Sequence, residues 1–301
     1  MNIYSHAEAN TRKTWLYLLG FLLFVIGAGW LMSSILGSQV ILWIAVALSV
    51  VMGFGSFWYS DKLVLSLAHA KEIEKKDNPE LYRIVENLSI TAGLPMPKIF
   101  IIQDQQPNAF ATGRDAKHAV VAVTTGLLQR LERVELEGVL SHELSHIGNK
   151  DMLVATFVVV LVGVVVLLAD LFFRMAFWGG MGGGNDRGGG QARLVMIVVA
   201  LAFLIIAPVL AQLMKLAISR KREFLADASG ALLTRYPEGL AKALEKISAD
   251  PHQLKSANDA TSHLYIANPF RGKEKKSWIH KLFMSHPPLE QRVAALRGMR
   301  V

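Results

Sequence analysis

Long apolar runs and ordinary polar stretches alternate along this chain. Residues 16–36 and 40–58 carry no charged side chain, and neither run is interrupted by a polar cluster. At 1.5 Å per residue, each run makes a helix long enough for a hydrocarbon core of about 30 Å. Only Gly37, Ser38 and Gln39 separate them, so the two are expected to form a tight helical hairpin. Two more runs follow, 152–173 and 194–214, the second broken late by Pro208, a residue that membrane helices tolerate. Between these lies a glycine-rich connection centred on 179–190, which reads as a loop. No Gly-Lys-Ser/Thr triplet follows it and no strand precedes it, so it is no phosphate cradle.

The stretch between the second and third runs has globular character. Residues 79–92 read as an amphipathic helix, and the LPMP stretch that follows punctuates its end. The β-branched segments 98–105 and 118–125 predict strands of a small antiparallel sheet, separated by PNAFATGRDA. Apolar residues at 127, 128, 131, 134, 139 and 140 recur at helical spacing, predicting one helix from Leu127 through Asn149. The expected fold is a mainly α membrane protein: four transmembrane helices plus an α+β domain with a small sheet. Its parts are a first hairpin (1–58), a polar segment (59–151), a second hairpin (152–214) and a C-terminal polar part (215–301).

Composition strengthens this picture. Of 301 residues 52% are hydrophobic, and mean hydropathy is +0.35, on the membrane side of the soluble average. The net charge of +8 lies in blocks flanking the apolar runs instead of in one basic arm, which argues against nucleic acid as a partner. Arg12 and Lys13 precede the first run, but that run is too long for a cleaved signal and reads as an uncleaved anchor. Lys62, Lys71, Lys75 and Lys76 follow the second run, and Lys215, Arg220, Lys221 and Arg222 the fourth, whereas the first short loop has no cation. This bias puts both termini and the polar domain on the cytoplasmic side, although Arg174, Arg187 and Arg193 lie in the other outer loop. With no cysteine, any transition-metal site falls to histidine and carboxylate.

Such a site is written in His142-Glu143-Leu144-Ser145-His146. Two histidines four apart share one helical face, as two ligands of one ion must. Glu143 lies beside that face, placed to hold water without ligating. A catalytic metal needs a third protein ligand, and Glu223, just beyond the fourth run, is the best candidate. Asp227, one turn on, would orient an imidazole or the glutamate; Asp151 would do the same or simply end the histidine helix. Because 142–146 precede the third run and Glu223 follows the fourth, antiparallel spans would deliver both ligand sets to one membrane face.

HELSH, NKDM, PNAFATG, SRKREFLAD and SHPPLEQR, in this order with four spans, resemble the HtpX family of bacterial membrane-integrated zinc metalloproteases, relatives of the CAAX prenyl proteases. The likeness covers essentially the whole chain. It implies that His142, His146 and Glu223 bind a single Zn2+ and that Glu143 is the general base. It also implies that the enzyme cleaves membrane proteins, especially misfolded ones, from the cytoplasmic face of the bacterial inner membrane, as part of quality control and stress response. The partners implied are these substrates and the lipid bilayer. The resemblance places His286 near the active site, as an oxyanion donor or a cap of the Pro287-Pro288 turn, and segment 108–113, starting at Asn108, at the substrate edge. Arg222 reads as a carboxylate clamp or a membrane-surface anchor. Lys150, Leu225 and the glycine-rich loop depart from the family pattern without touching a proposed ligand. The alternatives are a non-catalytic metal-binding membrane scaffold and a prenyl-protein peptidase. Oligomeric state and physiological substrates are not written in the sequence.

Overall fold

The computed structural model describes residues 39–152, 220–254, 264–267, 269 and 287–299, together with isolated helical positions between 12 and 34 and at Val198. Almost all of the third and fourth apolar runs, the glycine-rich loop and His286 lie outside the described residues. Those described are mainly helical, with one four-stranded sheet.

Helix α1, Gln39–Leu67, contains the second apolar run and continues past Trp58 without a break. Its outer surface is apolar: Val40, Trp43, Ile44 and Val51 are all exposed. Over the described residues alone no helix is long and apolar enough to cross a membrane; several side chains inside α1 fall outside that description. The last turns of α1 are different. Val64, Leu65 and Ala68 are buried against Ile102, Phe110, Val120 and Ala122 of the sheet.

Strand β1 (Lys71–Glu72) and helix α2 (Pro79–Ala92) come next. The ends of α2 follow local chemistry: Asn78 accepts from the Leu81 N–H at 3.0 Å, Pro79 occupies the first turn, and Gly93 closes the helix at φ 65°. Leu81, Ile84, Val85 and Leu88 form its buried stripe. Strands β2 (Lys98–Ile102), β3 (Ala109–Thr112) and β4 (Val120–Thr124) complete a sheet of order β1-β2-β4-β3. The expected antiparallel sheet is in fact mixed, because β4 enters between β2 and β3 and runs parallel to β2. This leaves β3 as an edge strand. Alternate residues face opposite layers: Ile99, Ala109, Ala111, Val121 and Val123 meet the helices, while Phe110 and Ala122 meet α1.

The single helix expected over 127–149 is two helices, α3 (Thr125–Arg130) and α4 (Arg133–Gly148). A capping box explains the break: the Glu132 N–H donates to Glu135 Oε2 at 2.8 Å, while the Glu132 carboxylate accepts from the N–H of Glu135. Lys246, 2.7 Å from Glu135, joins this start to α6 (Pro237–Ala249). Helices α5 (Arg220–Thr234) and α7 (Leu289–Arg297) close the helical layer, and Leu140, Leu144, Ala231, Leu244 and Leu296 fill the space between the helices.

Candidate metal centre

Helices α4 and α5 lie antiparallel, with two side chains one turn apart on each facing their counterparts. His146 meets Glu223, and His142 meets Asp227. Small residues permit this approach. A Cβ at Gly230 would stand 2.9 Å from the backbone nitrogen of His142, closer than real Cβ atoms come.

The Nε2 atoms of His142 and His146 are 3.1 Å apart. Glu223 brings Oε2 to 3.9 Å from the first and Oε1 to 3.5 Å from the second. One donor atom from each of these residues lies within 4.8 Å of the others. Donors about 2.0–2.2 Å from a shared tetrahedral ion stand roughly 3.3–3.6 Å apart, so two imidazoles and a carboxylate at these spacings fit a divalent cation such as zinc. Other first-row metals would accept the same donors.

Each imidazole is oriented by a carboxylate on its far nitrogen. His142 Nδ1 is 2.9 Å from Asp227 Oδ1, and His146 Nδ1 is 3.2 Å from Asp151 Oδ2. An Nδ1–H given to a carboxylate leaves the Nε2 lone pair directed at the ion. Asp151 also accepts from Arg222 Nη1 at 3.3 Å, so both residues belong to the support of His146. Behind Asp227 stands Arg292 of α7. Its Nε donates to Oδ2 at 2.8 Å and its Nη2 to Oδ1 at 2.6 Å, a two-pronged contact between buried groups. The same guanidinium places Nη1 3.7 Å from Glu223 Oε2.

Charge states follow from these contacts. Burial alone would raise Asp227, but the Arg292 charge and hydrogen bonds outweigh it and hold the carboxyl at about 2. Burial pushes His142 below its ordinary value, against the opposing hydrogen bond to Asp227. Burial also pushes His146 down, yet the Asp151 hydrogen bond and the charges of Glu223, Asp151 and Glu143 raise it to about 9. Glu143 is lifted to about 7, chiefly by burial and further by Glu223. The nearby His146, the backbone N–H of Ala111 and Arg292 pull it the other way.

The sequence-predicted residues thus gather unequally. His142, Glu143, His146, Glu223, Asp227, Asp151 and Arg222 come together; His286 is outside the described residues. Asn108 is fully buried on the edge-strand side, with Thr124 Oγ1 accepting from its N–H at 2.9 Å. Phe110 packs in the core against Tyr265, ring centroids 5.1 Å apart. Arg292 went unnoticed in the sequence, although it ends the SHPPLEQR motif. An arginine so far along the chain carries no local mark of burial.

Comparison with known proteins adds the following. Residues 75–300 match the model of peptidase family M48. A relative described as "Protease HtpX homolog" from Syntrophobacter fumaroxidans is 44% identical over 278 residues, covering 90% of this chain and 93% of its own. Another of the same description, from Tropheryma whipplei, is 43% identical over 299 residues, covering 99% of this chain and 98% of its own. The crystal structure of S. mikatae Ste24p superimposes with a TM-score of 0.52 at 19% identity, over 94% of this chain and 66% of that one. At that identity the likeness concerns the fold alone.

Proposed function

Since the chain belongs to peptidase family M48, we propose that it is a zinc-dependent endopeptidase of the HtpX kind, hydrolysing peptide bonds of membrane proteins at the inner face of a bacterial membrane. The observation that carries this reading is the convergence of His142, His146 and Glu223 around one ion-sized space, with Glu143 buried beside it.

His142, His146 and Glu223 would hold the ion, leaving room for the reacting groups. When bound, zinc supplies Lewis acidity, polarising a scissile carbonyl and acidifying water. Glu143 does the proton work: its carboxylate takes the proton of a water whose oxygen adds to the carbonyl carbon. It then returns that proton to the amide nitrogen as the C–N bond breaks. Burial lifts this carboxyl toward neutrality in the metal-free chain, and the charge of a bound cation would lower it again, favouring the carboxylate that accepts the proton. The Ala111 N–H near this carboxylate favours its ionised form.

Membrane residence rests on the apolar runs and on the region where α1 leaves the second of them. Trp58 and Tyr59 are exposed there, with Lys62 lying over the Tyr59 ring (5.1 Å) and Arg114 over the Trp58 ring (5.6 Å). Aromatic rings paired with cations are what a lipid headgroup boundary accommodates. Misfolded membrane proteins as substrates, and a role in quality control, follow from the family likeness.

Glu143→Gln is the direct test. The purified variant should keep its zinc, measured by metal analysis, and lose cleavage of an unstructured substrate such as β-casein by at least about a hundredfold. Cleavage at the wild-type rate would remove Glu143 from the mechanism.

A further inference from the structure

In an antiparallel pair, alternate residues of an edge strand turn their N–H and C=O groups away from the neighbour. On β3 these are Ala109 and Ala111, because the carbonyl of Asn108 faces β4, where it accepts from the Thr124 N–H at 3.0 Å. The outward N–H of Ala111 faces Glu143, whose ionised form it favours. Two residues earlier on the same edge, the Ala109 carbonyl accepts from the N–H of Ile266 at 2.9 Å.

The neighbours of Ile266 extend the pattern. Its carbonyl accepts from Arg292 Nη1 at 3.2 Å. The side-chain amide of Asn108 donates through Nδ2 to the carbonyl of Ala267 at 3.0 Å, and its Oδ1 accepts from the Ala267 N–H at 3.4 Å. All four backbone polar groups of Ile266–Ala267 are therefore held, by a strand carbonyl, a guanidinium and an amide that presents the donor–acceptor pair of a peptide bond. None of these holders reads a side chain. The Ile266 side chain itself is sunk among apolar neighbours of the main core. The location is not remote from the chemistry: the Arg292 nitrogen that holds the Ile266 carbonyl is also the one beside Glu223, and Ala109 and the base-facing Ala111 share one edge.

We propose that Asn108, Ala109 and Arg292 form a subsite for two residues of a peptide chain in the bent conformation of 265–267, aliphatic at the first, and that Ile266–Ala267 fill it as an internal pseudo-substrate that an incoming chain must displace. What the incoming chain is rests on the endopeptidase reading above. Main-chain pairing of this kind grips many sequences, with the aliphatic pocket as the selective element. Because the occupant is tethered, its effective concentration is on the order of millimolar, and a substrate binds only the fraction of molecules in which the subsite is open. Weakening the occupant therefore lowers KM.

Ile266→Pro deletes the N–H given to Ala109, and Ala267→Pro the weaker one given to Asn108. In the zinc-loaded full chain in detergent, with β-casein as substrate, Ile266→Pro should lower KM about fivefold, the worth of one backbone hydrogen bond, and Ala267→Pro by less. If Ile266→Pro does not fold, the Ala267→Pro chain and a second measurement decide. That measurement is hydrogen exchange at Ile266 and Ala267 in the zinc-loaded Glu143→Gln chain, with and without about 10 mM acetyl-Leu-Tyr-Ile-Ala-amide, a free copy of the occupant at a level that rivals its tether. Exchange at both amides should accelerate at least about tenfold when the peptide takes the subsite. A folded, zinc-replete proline variant whose KM does not fall, or amides that the peptide leaves unaccelerated, overturns the proposal. Should no variant or wild-type chain cleave casein while the peptide still frees both amides, the subsite stands and the endopeptidase reading fails. Zinc-dependent cleavage with unmoved amides has the opposite meaning.

Discussion

The two imidazoles of the site stand in surroundings of opposite kinds. On the His142 side the histidine is 1% exposed, and neither Asp227 nor Arg292 behind it exceeds 3%. On the His146 side the same sequence of imidazole, carboxylate and arginine recurs at the rim: His146 is 16% exposed, Asp151 9% and Arg222 11%. One chemical arrangement is thus built twice, once dry and once within reach of water. In the dry copy every charge depends on its partner, since solvent cannot replace it. In the less buried copy a lost contact leaves a smaller desolvation cost. The dry copy also involves more of the chain, because its arginine arrives on α7 from 65 residues beyond Asp227.

Arg292→Met should have the largest effect. It leaves the Asp227 charge buried with His142 as its remaining partner, a loss of about 3–5 kcal/mol, and it releases α7 from the ligand helix. Denaturant unfolding of the purified full chain reads this directly. Arg222→Met, the matching change on the His146 side, should cost less, about 1–2 kcal/mol, because it removes one 3.3 Å contact from a carboxylate that also has His146. Equal losses would erase the distinction between the two copies.

Gly230→Ala comes next, and strikes the dry side through packing instead of charge. The new methyl meets the backbone of His142, which cannot turn aside, and Ser141 Oγ, which is engaged with the Gly138 carbonyl. Overpacking of this sort costs about 1–3 kcal/mol and pushes α5 outward, carrying Glu223 from the histidines. Zinc affinity, measured by competition with a chromogenic chelator, should fall with stability. Unchanged affinity would mean that the closeness of the helices at Gly230 does not set the ligand spacing.

A third comparison replaces one carboxylate at a time. Asp227→Asn removes the charge that orients His142 and strands Arg292, so zinc affinity should drop toward the hundredfold end of the range for such partners. Asp151→Asn should lie toward the tenfold end, because the contact is longer and its surroundings are less completely buried. The reverse order would show that exposure does not govern the strength of support.

How much of this could be read in advance depended on how local each signal was. Helix α2 spans the residues that its amphipathic pattern marks, and Asn78, Pro79 and Gly93 fix its ends within one turn. The histidine pair and Glu143 are equally local. Glu223 was legible only through topology, as the first acid after a span antiparallel to the one following the histidines. Strand β3 was read as a separator because all four of its residues are buried, leaving no alternation to see. The parallel pairing of β2 with β4 is likewise a non-local choice. The break after Leu131 had a visible cause in Glu132 and Glu135, but apolar periodicity ran straight across it. The Ile266–Ala267 dipeptide and Arg292 bear no mark at all in a linear reading. Their meaning lies in partners that only the fold supplies.

The smallest expected effect is a count of protons. In the metal-free chain at about pH 8, His142 is neutral because burial holds it down, whereas His146, raised to about 9, still carries a proton. A ligating imidazole must be unprotonated, so zinc uptake should release about one proton, from His146. Glu143, near 7, is mostly ionised at that pH and contributes little. The sign follows: uptake weakens as pH falls below about 9, because more of His146 must then be deprotonated. Calorimetric titration in two buffers of different ionisation enthalpy gives the count. Asp151→Asn takes away the hydrogen bond and one of the charges that hold His146 up, so the count should fall well below one. Asp227→Asn removes support from a histidine that has no proton to lose, so the count should stay where it was. If both variants released the same number, the dry and rim copies would be electrostatically alike, and the contrast in exposure would carry no chemical consequence.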